Sequence, residues 1–159
     1  AAAQSDDPEA ARQAYEDALQ KDNRNMAALN NLAYLLADSK DADTRNAAVK
    51  YAKEAVELAN AQGARSSTVV DTLDTLGWAY ICADNPLNAI SKLNDALEIN
   101  PQYVPATYHL GEAYRRNGQF EEAEQKFKEV LKTSKGSGFD QYLKLAQEGL
   151  DKAQSRQSD

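Results

Sequence analysis

The amino-acid sequence predicts an all-α fold, a solenoid of antiparallel helix pairs that ends in a capping helix. Three observations carry this reading. The string Leu76-Gly77-Trp78-Ala79-Tyr80 recurs 34 residues later as Leu110-Gly111-Glu112-Ala113-Tyr114, and a fixed period of that length marks a helical-repeat array. Apolar residues in each half-period fall at i, i+3, i+4 and i+7, the spacing of one helix face. Prolines, glycines and capping side chains stand where those helices should start and stop; no segment alternates as a strand does.

The array opens on half a period. Pro8, Ala11, Tyr15, Ala18 and Leu19 match Pro86, Ala89, Leu93, Ala96 and Leu97. Residues 8–25 are therefore read as a second helix without its first, after a tail over 1–7. The first full repeat, 26–69, carries Leu29, Leu32, Ala33 and Leu36, then Ala48, Ala52, Ala55 and Val56. It is ten residues longer than one period, and the additions are expected between helices, within 39–46 and around 61–67, because loops absorb insertions more readily than packed helices. Repeats 70–103 and 104–137 follow. Asp7-Pro8 and Asn85-Pro86 each set a capping residue before a first-turn proline, while Asn100-Pro101 and Asn117-Gly118 end helices. Gly136-Ser137-Gly138 is expected to be a flexible break. Phe139, Tyr142, Leu143, Ala146 and Leu150 then line one stripe of a solvating helix over 138–155, with a tail at 156–159.

Small residues have a predicted place in this scheme. Gly77, Gly111 and Ala33 stand where the two helices of a pair meet, facing Ala89, Ala123 and Ala48. Tyr80, Tyr114, Leu93 and Phe127 are expected to fill the space between pairs. The 28 alanines among 159 residues suit helices whose backbones approach closely.

Composition excludes several functions. One His and one Cys cannot supply the three or four nitrogen and sulfur ligands of a zinc site, nor an internal disulfide. A net charge of −7, spread over both halves, argues against nucleic acid as a partner. No apolar run is long enough to span a membrane, and Ala1-Ala2-Ala3-Gln4-Ser5 is not a signal peptide as it stands. No phosphate loop or nucleophile–base set is present, so no cofactor and no catalytic residue is expected.

The period, Leu-Gly with Tyr three residues on, then Ala, Leu or Phe, Ala and a closing Pro, resembles the tetratricopeptide repeat over about residues 8–137. That resemblance implies a right-handed superhelix of helix pairs whose first helices line a concave groove, and a scaffold that binds a protein or peptide partner. A finer resemblance lies in the strings over 30–37 and 74–78 and in the long first spacing. These are similar to repeats of bacterial envelope lipoproteins linked to exopolysaccharide export and exosortase-type sorting. It implies a bacterial fragment of a larger protein, with periplasm or envelope ahead of cytoplasm.

Helical geometry selects the groove residues. With Leu73 at zero and about 100° per residue, Leu76, Gly77 and Tyr80 stay within about 60°. Asp71, Asp74, Trp78, Ile81 and Cys82 fall at about 80–180°, the side that faces the groove in the family. The equivalents are Asn30, Tyr34 and Asp38 in the first repeat, and Tyr108, Glu112, Arg115 and Arg116 in the third. Two readings of Trp78 stand: an anchor for a partner, or a side chain packed against the next repeat beside Tyr108. Arg115 and Arg116 either clamp a carboxylate or answer Glu112 and Glu122. His109 reads as a surface or packing residue. The family's two-carboxylate clamp, carried over position by position, meets Asn30, Tyr34, Thr75, Pro105 and His109, so binding of acidic tails is not inherited. An alternative function is self-assembly through the open half repeat, whose side bearing Ala11, Tyr15 and Ala18 needs cover.

Overall fold

A computed structural model describes residues 7–133, 136 and 138–156 and contains eight α-helices among them. They are α1 (Pro8–Lys21), α2 (Met26–Ala37), α3 (Ala42–Ala61), α4 (Ser66–Cys82), α5 (Pro86–Ile99), α6 (Val104–Arg116), α7 (Phe120–Leu131) and α8 (Asp140–Gln154). Side chains that compete with the backbone start four of them. Asp7 accepts from the amides of Glu9 and Ala10, Asn25 from Ala28, Asp41 from Thr44, and Asn85 from Asn88. Each cap satisfies first-turn N–H groups that have no partner inside the helix. Asn100 and Asn117 end α5 and α6, and Gly118 follows at φ +77°. Most of the expected tails, 1–6 and 157–159, and Ser137 of the expected flexible break lie outside the described residues.

Consecutive helices pack in pairs, α2 with α3, α4 with α5, and α6 with α7. The first helices of successive pairs also touch, α2 to α4, α4 to α6 and α6 to α8, whereas α3, α5 and α7 do not touch one another. The stack therefore curves toward α2, α4 and α6, which form its inner, concave layer. Three apolar clusters run along it, one among α2, α3 and α4, one among α4, α5 and α6, and one among α6, α7 and α8.

The close approaches fall on glycine, with a different partner from the one expected. A Cβ on Gly77 would lie 2.5 Å from Cγ of Leu93, and one on Gly111 would lie 2.7 Å from Cε1 of Phe127. The large residue of the second helix, and not Ala89 or Ala123, sits over the glycine of the first. Phe127 also covers Gly149 of α8, where a Cβ would meet its ring at 2.6 Å. One ring thus joins the third pair to the terminal helix.

The ten additional residues are not in loops. Helix α3 has 20 residues against 14 in α5, and α4 has 17 against 13 in α6. The insertion lengthens helices that already pair, so each added turn gains backbone hydrogen bonds at no loss of register. One consequence is that α4 starts at Ser66, four residues ahead of the expected start at 70.

Candidate functional site

Helix α4 is the centre of the concave layer. It is packed by α3 and α5 on its outer side and by α2 and α6 on its flanks, so only a narrow arc of its surface remains open. Along that arc stand Asp71, Asp74, Trp78 and Cys82. Asp71 accepts a hydrogen bond of 2.6 Å from the Tyr103 hydroxyl, which ties α4 to the turn before α6. Asp74 accepts one of 2.7 Å from Nδ1 of His109 on α6, with both side chains buried. The indole of Trp78 stacks on the same imidazole, centroids 5.0 Å apart at 29°.

The two carboxylates line a pocket of about 340 Å³. Asn30, Asn31 and Tyr34 of α2 form one wall, Asp71, Asp74 and Thr75 another, with Tyr103 and Pro105 at the start of α6. The fourth wall is the entry to α8, where Gly138, Phe139, Gln141 and Tyr142 lie across the end of the groove. Tyr34 is the open aromatic of the set, 43% exposed. Burial raises the phenol pKa of Tyr34, with Asp74 adding to it. Burial also raises that of Tyr103, reinforced by its bond to Asp71, and that of Tyr142, reinforced by Tyr34 and Asp74. All three phenols are neutral near pH 7. Asn30 Oδ1 is buried and accepts no hydrogen bond among the described residues.

The predicted groove residues divide into two sets. Asn30, Tyr34, Asp71 and Asp74 meet in the pocket, and Trp78 stands beside it, half-buried. Ile81 does not face the groove: it is fully buried in the cluster formed with α5 and α6. Arg115, the corresponding residue of α6, is 1% exposed and paired with Glu112 at 2.8 Å. Both corrections have one cause. An inner helix flanked on both sides buries a wider arc than the single stripe of a helix packed on one side, so positions near about 80° are covered. Tyr108 is buried against Phe127 and Tyr142, because α8 occupies the place a further inner helix would take. Glu112, 8% exposed, is held by Arg115 and lies 3.9 Å from Arg116. Arg116 remains half-buried and reaches the Ile81 carbonyl at 3.5 Å.

Sequence reasoning missed Tyr103, Phe139, Gln141 and Tyr142 as pocket residues. The first lies in a connection, outside any helical wheel; Phe139 and Tyr142 belong to the apolar stripe of the capping helix, and Gln141 lies off it. Four of the five positions carried over from the family's clamp (Asn30, Tyr34, Thr75 and Pro105) do line the pocket, and His109 lies beneath it, bonded to Asp74. No helix among the described residues is long and apolar enough to cross a membrane.

The stacked pairs and their concave inner layer define a helical-repeat protein. The tetratricopeptide-repeat family model matches residues 83–147. Among solved structures, a MamA protein is 26% identical, with 91% of this chain and 76% of that chain covered and a TM-score of 0.60. The yeast Tom70 structure is 21% identical over 89% of this chain and 29% of that one, TM-score 0.64. YrrB, described as a TPR protein with an unusual peptide-binding site, is 21% identical over 96% of this chain and 79% of its own, TM-score 0.57. No curated protein matches in sequence. The family match spans 65 of the 159 residues, and the likeness to these solved structures shows the fold, a stack of antiparallel helix pairs like that of tetratricopeptide-repeat structures.

Proposed function

We propose that the chain is a protein-interaction scaffold whose concave face holds an extended peptide or a partner helix. The observation that carries this is the pocket of about 340 Å³ assembled from α2, α4, the start of α6 and the start of α8. Its size is that of a small-ligand or side-chain site, and its walls mix aromatic rings with hydrogen-bonding groups, as peptide grooves do. Selection of displayed peptides on the immobilised chain tests the reading. Selected peptides should lose about tenfold in affinity on Tyr34→Ala, the effect of removing an anchor. Peptides indifferent to substitution at 34, 71 and 78 would place binding elsewhere and remove the reading.

Self-assembly through α1 is the second reading. That helix packs on α2 alone and has no buried residue, and Ala11, Tyr15 and Ala18 remain half-covered. Light scattering over a range of concentrations should show a growing dimer population; a constant monomer mass ends the proposal. A role in envelope assembly or exopolysaccharide export rests on the resemblance of 30–37 and 74–78 and on the long first spacing. The parent reading frame tests it, through a lipoprotein signal and further repeats upstream.

A further inference from the structure

The concave pocket has a definite charge and a definite hydrogen-bonding sense. Asp71 and Asp74 line it, and no Lys or Arg does among the described residues. The two carboxylates are the only acidic side chains of the described lining, and no basic side chain there answers them. Each carboxylate is aimed by one donor: Tyr103 holds Oδ1 of Asp71 and His109 holds Oδ1 of Asp74. Among the described residues no donor reaches either Oδ2, and the buried Asn30 Oδ1 is an acceptor without a donor. What the described lining lacks is positive charge, since its N–H donors are the neutral amides of Asn30, Asn31 and Gln141. Four aromatic residues, Tyr34, Tyr103, Phe139 and Tyr142, contribute to its walls, and ring faces attract cations. A divalent metal fits poorly, because hard cations take six or more oxygen ligands and the described residues contain no group of three that could hold an ion.

We infer that this pocket takes a cationic side chain, the ammonium of lysine or the guanidinium of arginine, from the partner peptide. The inference rests on the peptide-binding reading above and gives it a chemical class. The carboxylates supply charge and the rings supply a wall along the aliphatic stem. The raised phenol pKa values keep Tyr34, Tyr103 and Tyr142 neutral, so selection between cation and anion is set by Asp71 and Asp74. Acidic peptides are repelled.

The test uses four libraries of capped nonapeptides with the central residue fixed as Lys, Arg, norleucine or Glu. The other positions are drawn from Ala, Ser, Thr, Leu and Tyr. Trp78, the one tryptophan of the chain, reports occupancy by its fluorescence through the stack on His109, and calorimetry gives the affinities. The Lys and Arg libraries should bind about tenfold more tightly than norleucine, as a desolvated cation over carboxylates and rings requires. Asp71→Asn keeps an acceptor for Tyr103 and should erase that advantage with unchanged helicity. Norleucine or Glu libraries that bind as well as Lys overturn the cation assignment and leave peptide binding standing. A Lys advantage that survives Asp71→Asn also overturns it, since the cation then sits elsewhere. If no library binds, both this assignment and the peptide-binding reading fall.

Discussion

His109 on α6 donates through Nδ1 to Oδ1 of Asp74 on α4 over 2.7 Å, and both side chains are buried. The bond joins two inner helices directly beneath the concave pocket, and Trp78 packs on the far face of the same ring. Asp71, three residues away, has its own donor in Tyr103. The two carboxylates are therefore held separately, each by a neighbouring element, and the pocket wall is fixed to the core of the array.

Removal of that donor leaves a buried carboxylate without its partner. His109→Ala is expected to cost about 3 kcal/mol, the range for breaking a buried charge-assisted bond. Asp74→Asn keeps an acceptor and should cost less. Urea denaturation monitored by circular dichroism measures both; equal and small losses would show that the bond contributes little.

A side chain at residue 77 has nowhere to go, because Leu93 is fully buried and cannot swing away. Gly77→Ala should destabilise by about 1–3 kcal/mol through overpacking. Combining it with Leu93→Ala should cost less than the two separate losses added together, since the second change makes room for the first. Additive losses in the double-mutant cycle would contradict the contact.

Arg115 is structural in this fold. Arg115→Ala leaves Glu112 buried beside the vacated site and should cost about 3–5 kcal/mol, whereas the double change Glu112→Leu with Arg115→Met should recover much of it. Peptide affinity per folded molecule should stay constant in both. A selective loss of affinity would return Arg115 to the binding face.

Trp78 links the core to the groove, so its removal should be felt twice. Trp78→Ala is expected to lower stability by about 2 kcal/mol, below the cost for a fully buried Trp, and to weaken peptide binding about tenfold as an anchor would. Loss of stability alone, with affinity unchanged in the folded fraction, makes it a packing residue only.

Alkaline pH should unfold the protein sooner than exposed phenols and thiols would predict. Burial pushes the Cys82 thiol from its ordinary 9.0 to about 12, and Tyr34, Tyr103, Tyr108 and Tyr142 are all raised from 10.0, burial being the first cause. Above pH 9 the unfolded chain loses protons that the folded chain keeps, so stability, full below that point, falls as pH rises. Thermal melting between pH 7 and pH 11 should show a steady loss from about pH 9. A thiol reagent should modify Cys82 slowly in the native protein and quickly in urea.

Much of this architecture was legible in the sequence because it depends on periodicity. The 34-residue recurrence, the i, i+3, i+4, i+7 spacing and the Asn and Asp caps are local signals, and the helices follow them closely. The glycines were legible as close contacts, although their partners were not: Gly77 meets Leu93, and Gly111 meets Phe127. Which of two residues on a facing helix covers a gap depends on crossing angle and offset, and neither is written in one helix.

The site was legible only in part, for the same reason. Asn30, Tyr34, Asp71, Asp74 and Trp78 could be placed on an inner arc from their angular positions. Whether Ile81 and Arg115, at the edge of that arc, were open or covered depended on having an inner helix on each side. The sequence by itself determined the helices, their pairing and the fact of an inner face, because these follow from the period and from apolar stripes that must be buried. Only the tertiary structure decided that α8 turns its first residues across the groove, that Tyr103 and His109 each hold one carboxylate, and that the enclosed space is acidic and aromatic. Those are contacts between residues 32 and 35 positions apart or more, and they exist only once the stack has set the distance between its layers.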